Sequence, residues 1–95
     1  MFVSDATEEG IKKEKGIARE LRKTGWWKRK CAGGRCYYCN ATVPAKELTM
    51  DHIVPLVRGG RSVKSNIVSA CKECNNKKKY LLPLEWEEYL NRLEQ

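Results

Sequence analysis

The 95-residue sequence has no long apolar run. No stretch approaches the roughly 20 apolar residues that a membrane-spanning helix needs, which argues against a membrane protein. The opening residues, MFVSDATEEG, become acidic and polar at once, unlike the apolar core of a signal peptide. We therefore expect a cytoplasmic protein in a reducing compartment, where disulfides are rare and paired cysteines more often bind metal.

The sequence also has no internal repeat and no low-complexity tract, and its length suits a single domain. A chain of this size buries only about 60–65% of the surface that it exposes when unfolded, so its apolar core is small. With 33% charged and 41% hydrophobic residues, the composition favours a fold with an additional source of stability. The five cysteines are the candidates for that role.

Acidic residues are in the minority, and the net charge is +7. Nine basic residues but only two acidic ones lie in segment 12–30, whereas the tail over 84–95 has four glutamates and one arginine. Such a basic segment can bind nucleic acid or an anionic membrane surface, or it can be a solvated helix face. A basic arm beside a metal site favours nucleic acid.

The pattern of apolar residues, glycines and prolines predicts an α+β fold. We expect a helix that ends at Thr24-Gly25 and is followed by a basic linker, and a last helix that begins at Pro83 and buries Trp86. The predicted elements are a basic helix over 11–24, a hairpin over 34–52, a short strand over 66–69, a helix over 70–82 and a last helix from 83 onward.

Four of the cysteines form two pairs with the spacing of zinc knuckles, Cys36-x-x-Cys39 and Cys71-x-x-Cys74. Four thiolates complete a tetrahedral zinc site and leave no position open for water, so we expect the zinc to be structural. Such a site contributes on the order of 10–16 kcal/mol to folding. The alternative is a redox pair, which two such motifs in one small basic chain argue against. Cys31 has no partner, and we expect a half-buried free thiol.

The only histidine, His52, follows Asp51 in a predicted strand. Lone histidines are commonly surface or packing residues, but neighbouring strand residues point to opposite sides, so one strand can offer a carboxylate to a cation and an imidazole to a water. Asn75 directly follows Cys74 and could share that cation with Asp51. Oxygen ligands suit Mg²⁺ or Mn²⁺, and the set has the parts of a site that hydrolyses phosphodiesters.

The combined motif resembles the HNH endonucleases of the ββα-metal class over roughly residues 26–86. It comprises the two cysteine pairs, the run Asp51-His52-Ile53-Val54-Pro55, Gly59-Gly60, Asn66, Asn75 and Lys78. The resemblance implies that His52 is the general base, that Asp51 is a metal ligand and that Asn66 holds the active-site loop and orients His52. The third motif position, a metal ligand, falls on Asn75, where many members have histidine, so this chain is a His-Asn-Asn variant. Asn76 is a weaker candidate for that position.

The fold implied by the resemblance is a small ββα-metal core stapled by the four-cysteine zinc site and flanked by N- and C-terminal helices. We expect a basic helix or arm over residues 1–30 and the nuclease domain over 31–95, within a single domain overall. The implied activity is metal-dependent cleavage of double-stranded DNA, one strand at a time, by a monomer or weak dimer. The phosphate contacts that we expect are Arg58, Arg61, Lys78, Lys28, Arg29 and Lys30.

Two other functions fit parts of the sequence. A non-catalytic zinc module that binds DNA or RNA explains the cysteines and the charge, but it leaves Asp51, His52 and Asn75 without a role. An adaptor that presents the Trp86 helix to a protein partner explains the last helix alone. Metal-dependent cleavage of DNA distinguishes the nuclease from both alternatives.

Overall fold

The computed structural model describes residues 6–93, which form four helices and a two-stranded antiparallel sheet. The α+β class predicted from the sequence is confirmed. None of the described helices is long and apolar enough to span a membrane. The elements are α1 (Glu8–Arg22), α2 (Gly25–Ala32), β1 (Leu48–His52), β2 (Ile67–Cys71), α3 (Lys72–Lys78) and α4 (Pro83–Leu93).

Threonine caps begin the first two helices. The Thr7 hydroxyl accepts the backbone N–H of Gly10 at 2.9 Å, and the Thr24 hydroxyl accepts that of Trp27 at 3.3 Å. Thr24 therefore starts a second helix, and the basic linker predicted after α1 is wrong. The boundary predicted at residue 30, between a basic arm and a nuclease domain, falls inside α2.

Strand β1 pairs with β2 in a register that runs from Leu48 opposite Cys71 to His52 opposite Ile67. The hairpin predicted over 34–52 is wrong, because its first part contributes only an isolated bridge between Arg35 and Thr42. This bridge closes the turn that carries the first cysteine pair. A loop of 14 residues, 53–66, separates β1 from its partner, which is beyond the range of local turn signals.

The sheet separates two small apolar clusters. On one side Trp27 and Cys31 of α2 pack with Leu48 and Ile67. On the other side Cys36, Ala70, Cys74 and Trp86 form the second cluster. Trp86 is only 6% exposed, which confirms the prediction that the last helix buries this residue.

Helix α3 is shorter than the predicted helix over 70–82. Ala70 and Cys71 complete β2, and the Cys71 sulfur caps α3 by accepting the backbone N–H of Cys74 at 3.4 Å. The helix ends at Lys78 because Lys79 has a positive φ of 45°. The two strands and α3 together give the ββα arrangement expected from the resemblance.

Candidate zinc centre and active-site cleft

The four paired cysteines meet at one point between the β2–α3 junction and the turn at 36–39. Their sulfur atoms all lie within 4.8 Å of one another, and those of Cys39 and Cys71 are 3.9 Å apart. A tetrahedral zinc ion with Zn–S distances of about 2.3 Å separates its sulfur ligands by about 3.8 Å. The separation is far too long for a disulfide, in which the sulfurs are about 2.05 Å apart. The donor set and its spacing therefore fit a metal such as zinc.

Backbone groups around Cys36 favour the thiolate form that binds metal. Burial by itself raises the pKa of this thiol, but backbone N–H groups of Cys39, Cys71 and Tyr38 outweigh burial and lower the pKa to about 7. Burial raises the pKa of Cys74. The fifth cysteine, Cys31, lies in the apolar cluster beside α2 and is 7% exposed, so it is buried rather than half-buried as expected.

The three residues predicted to carry the chemistry line a single cleft of about 270 Å³. Asp51, His52 and Asn75 all contribute to its walls, together with Lys15 of α1 and Lys79. Asp51 and His52 are neighbours in β1 and thus extend from opposite faces of the strand, while Asn75 comes from α3. The structure therefore brings together a carboxylate, an amide and an imidazole that the sequence separates by up to 24 residues.

Only one of the two carboxylate oxygens of Asp51, Oδ2, has partners within residues 6–93. Its Oδ2 atom accepts a hydrogen bond from the Tyr38 hydroxyl and forms an ion pair of 3.3 Å with the Lys78 ammonium. Burial, reinforced by the neighbouring Asp51, raises the pKa of Tyr38. This hydroxyl therefore keeps its proton and is the donor of the hydrogen bond to Asp51. No hydrogen bond within residues 6–93 uses the Oδ1 atom of Asp51, which leaves that oxygen for a cation.

Lys78 does not fit the expected role of a phosphate contact. Its side chain is completely buried, and its ammonium donates to the main-chain oxygen of His52 at 3.1 Å as well as pairing with Asp51. A buried ammonium in two such contacts cannot reach a phosphate at the surface. Its position instead ties α3 to the end of β1.

Asn75 is oriented by Thr49. The Thr49 hydroxyl donates its one hydrogen to the Ala70 carbonyl at 2.9 Å, so it accepts from the Asn75 amide nitrogen at 2.7 Å. The amide oxygen of Asn75 then remains for a ligand. Asp51 and Asn75 line the same cleft, and oxygen donors of these two kinds suit Mg²⁺ or Mn²⁺ better than softer ions.

The His52 imidazole is half-buried, and its Nε2 atom lies 2.9 Å from the Ser62 hydroxyl. Burial lowers the pKa of His52, and the neighbouring Asp51 opposes this change only in part. The ring is therefore neutral near pH 7 and able to accept a proton. Ser62 was missed in the sequence, since a serine in a polar loop gives no sign that it contacts the histidine.

Asn66 holds the loop between the strands. Its side chain exchanges two hydrogen bonds with the main chain of Val54, of 2.9 and 3.1 Å, and donates a third to the Arg61 carbonyl at 2.9 Å. Gly60 lies in the same loop, where a Cβ atom would be 1.8 Å from the Val54 carbonyl oxygen, so a larger residue cannot fit. Within residues 6–93, the hydrogen bonds of the Asn66 side chain thus reach the backbone of the loop and none of them reaches the His52 ring.

The arginines predicted to bind phosphate are engaged within the molecule. Arg58 forms a two-pronged pair with Glu85 at 3.0 and 3.3 Å, and Arg61 pairs with Glu14 at 3.2 Å. These contacts tie the loop to α4 and α1. Lys28, Arg29 and Lys30 are exposed on α2, where the Lys30 ammonium lies 5.5 Å from the centre of the Trp26 ring.

A second cleft, of about 340 Å³, lies on the α1 side of His52. Lys15, Arg19 and Arg22 line it together with His52 itself. These cations follow one another at intervals of three or four residues, so they share one face of α1. The sequence showed them only as members of a basic segment, because nothing in it indicated which face of α1 meets the histidine.

A comparison with protein families identifies one family in which the cysteine cluster and the cleft residues are matched together. A family model described as HNH endonuclease matches residues 36–90, which include both cysteine pairs, Asp51, His52, Asn66 and Asn75. No curated protein matches the chain. The match spans more than half of the sequence and covers the sheet, the cysteine cluster and α3. The chain belongs to the HNH endonuclease family.

Proposed function

We propose that this protein is a metal-dependent endonuclease that cuts one strand of double-stranded DNA at a time, with His52 as its general base. The observation that carries the proposal is the single cleft lined by Asp51, His52 and Asn75. The family supports a nuclease, and the net charge of +7 supports a polyanionic substrate.

The chain's own residues divide the chemical work. A Mg²⁺ or Mn²⁺ ion bound through Asp51 and Asn75 would stabilise the charge that develops on the phosphate and on the departing oxygen. His52 takes a proton from a water, whose oxygen attacks phosphorus as the bond to the 3′ oxygen breaks, and the departing oxygen takes a proton from solvent. The products are a 5′ phosphate and a 3′ hydroxyl. Tyr38, Lys78 and Thr49 hold the two metal-binding side chains in place.

Metal dependence tests the proposal directly. We expect the zinc-loaded chain to convert supercoiled plasmid to open circles with Mg²⁺ or Mn²⁺ and to leave it intact without an added divalent ion. A single site cuts a single strand, so open circles accumulate before linear DNA. Measuring zinc content in every sample ensures that loss of the structural metal does not imitate loss of catalysis. Activity with Ni²⁺ but with neither Mg²⁺ nor Mn²⁺ would contradict the assignment of Asp51 and Asn75.

A non-catalytic zinc module that binds nucleic acid is the second candidate. The cysteine cluster and the cationic face of α1 favour it, because a module that only binds nucleic acid needs both features and needs neither Asp51 nor Asn75. Plasmid binding without cleavage under every metal would establish this alternative and exclude the nuclease.

The face of α1 formed by Lys15, Arg19 and Arg22 is expected to bind the DNA backbone near the cut. Each lost phosphate contact lowers the slope of log affinity against log salt by about 0.9, so the triple alanine variant should lose about 2 to 3 in slope. At about 0.1 M salt we expect its DNA affinity to fall by one to two orders of magnitude. Fluorescence anisotropy with a labelled duplex across a salt series measures both quantities.

The matched control removes the same charge elsewhere. Lys46, Lys72 and Lys77 lie outside both clefts that His52 lines, and all three are exposed. Their triple alanine variant should keep nearly the wild-type slope. Equal losses in the two variants would show that net charge, rather than this face of α1, determines binding.

A further inference from the structure

We propose that Ser62 is a positioning residue that locks the tautomer of His52, leaving Nδ1 as the atom that accepts the proton. The consequence for catalysis rests on the proposed function, whereas the tautomer itself does not. Ser62 lies in the loop between the strands, outside the set of residues that the motif singles out, and is only 4% exposed.

The hydrogen bonds of the Ser62 hydroxyl determine the direction of the contact. Its oxygen lies 2.7 Å from the main-chain oxygen of Glu14 and 2.9 Å from Nε2 of His52. A carbonyl oxygen cannot donate, so the one hydroxyl hydrogen of Ser62 is directed to Glu14. The contact with His52 therefore requires a hydrogen on Nε2. In a neutral imidazole the lone pair then resides on Nδ1.

Helix α1 holds Ser62 in this position through Glu14. The Glu14 carboxylate accepts the Ser62 backbone N–H at 2.6 Å and the Arg61 guanidinium at 3.2 Å. The Glu14 side chain is 11% exposed, and the hydrogen bond from the Ser62 backbone lowers the pKa of its carboxyl despite burial. This carboxylate is therefore charged at neutral pH, and Glu14 links α1 to the loop through two hydrogen bonds from Ser62 and a third from Arg61.

No other side chain in the described part of the chain takes this role. The hydrogen bonds of the Asn66 side chain reach Val54 and Arg61, and within residues 6–93 no hydrogen bond involves Nδ1 of His52. A base that keeps one tautomer presents the same nitrogen to the attacking water in every encounter. The N-terminal helix would thus complete the active site as well as contribute cations to it.

The single histidine makes the tautomer directly measurable. In ¹⁵N-labelled, zinc-loaded full-length protein, long-range ¹H–¹⁵N spectra assign each ring nitrogen as protonated or unprotonated. At a pH about two units above the ordinary histidine pKa of about 6.5, we expect only the Nε2-protonated form, with a ring N–H that exchanges slowly with water. In Ser62→Ala we expect a mixture of both tautomers and a rapidly exchanging N–H.

Ser69→Ala is the matched control, because Ser69 is the other buried serine among residues 6–93, at 6% exposure, and lies in β2. It should retain the wild-type spectrum. Where the chain cuts DNA, Ser62→Ala should lower kcat by about tenfold while DNA affinity and zinc content stay unchanged.

A wild-type spectrum with Nδ1 protonated overturns the inference even if Ser62→Ala fails to fold. Identical tautomer populations in wild type and a folded Ser62→Ala variant also overturn it. A chain that shows the Nε2-protonated form but cuts no DNA with any metal refutes the proposed function and supports the tautomer assignment. A chain that cuts DNA but shows Nδ1 protonated supports the proposed function and refutes the tautomer assignment.

Discussion

Replacement of His52 by alanine is expected to lower the rate of plasmid nicking by about 10²- to 10⁴-fold, the usual contribution of a general base. The variant leaves Asp51 and Asn75 with their own partners, Tyr38, Lys78 and Thr49. DNA affinity should therefore change little, since the cations of α1 remain. The measurement is the initial rate of open-circle formation with Mn²⁺ at equal protein and zinc concentrations.

Folding of the His52→Ala protein is checked by zinc content and by its thermal unfolding midpoint. The main-chain oxygen of residue 52 still accepts from Lys78, so the end of β1 should remain in place. A folded variant that keeps more than about a tenth of the wild-type rate would show that another group accepts the proton. Because the His52→Ala protein is purified in the same way as the wild type, its residual activity also shows how much cleavage comes from a contaminating nuclease.

Loss of one of the four clustered cysteines, the proposed zinc ligands, should unfold the chain. Cys74→Ser removes a ligand from a site whose metal binding contributes on the order of 10–16 kcal/mol, more than the entire net stability of about 5–15 kcal/mol that is usual for a domain. The apolar core cannot compensate, since each of its two clusters has only four buried residues in the described part of the chain. Circular dichroism and zinc stoichiometry are the measurements.

Cys31→Ala is the matched control for the zinc experiment. Cys31 is also buried, but it packs with Trp27, Leu48 and Ile67 rather than with the other cysteines. We expect this variant to bind one zinc ion per chain and to unfold cooperatively, with a free energy of unfolding about 1 kcal/mol lower than that of the wild type. A Cys74→Ser protein with wild-type spectra and a wild-type unfolding midpoint would show that the cysteine cluster does not hold a structural metal.

Much of the candidate site could be predicted because its residues belong to short motifs. Each cysteine pair is local in sequence, and Asp51 and His52 are adjacent, so strand geometry alone separates their side chains. The motif also indicated that Asn75 follows the last cysteine into a helix. The cysteine cluster predicted from these spacings is confirmed.

Local patterns were less informative about which segments pair. Asp51 and His52 lie in a strand as predicted, but the partner of this strand, β2, lies across a long loop, and so the predicted hairpin is wrong. The second helix was missed because Thr24-Gly25 is equally a helix end and a helix start. Such signals act over a few residues, whereas strand pairing depends on contacts between distant parts of the chain.

The sequence by itself determined the HNH motif, the four clustered cysteines and the excess of positive charge, because these depend on residue type and short spacing. Only the tertiary structure decided how the charged residues are used. It buried Lys78 against Asp51, turned the face of Lys15, Arg19 and Arg22 toward His52, and placed Glu14 and Ser62 behind the imidazole. Glu14 and Ser62 are 48 residues apart, so no local pattern links them. They meet because a buried carboxylate requires hydrogen-bond donors, which the folded loop supplies.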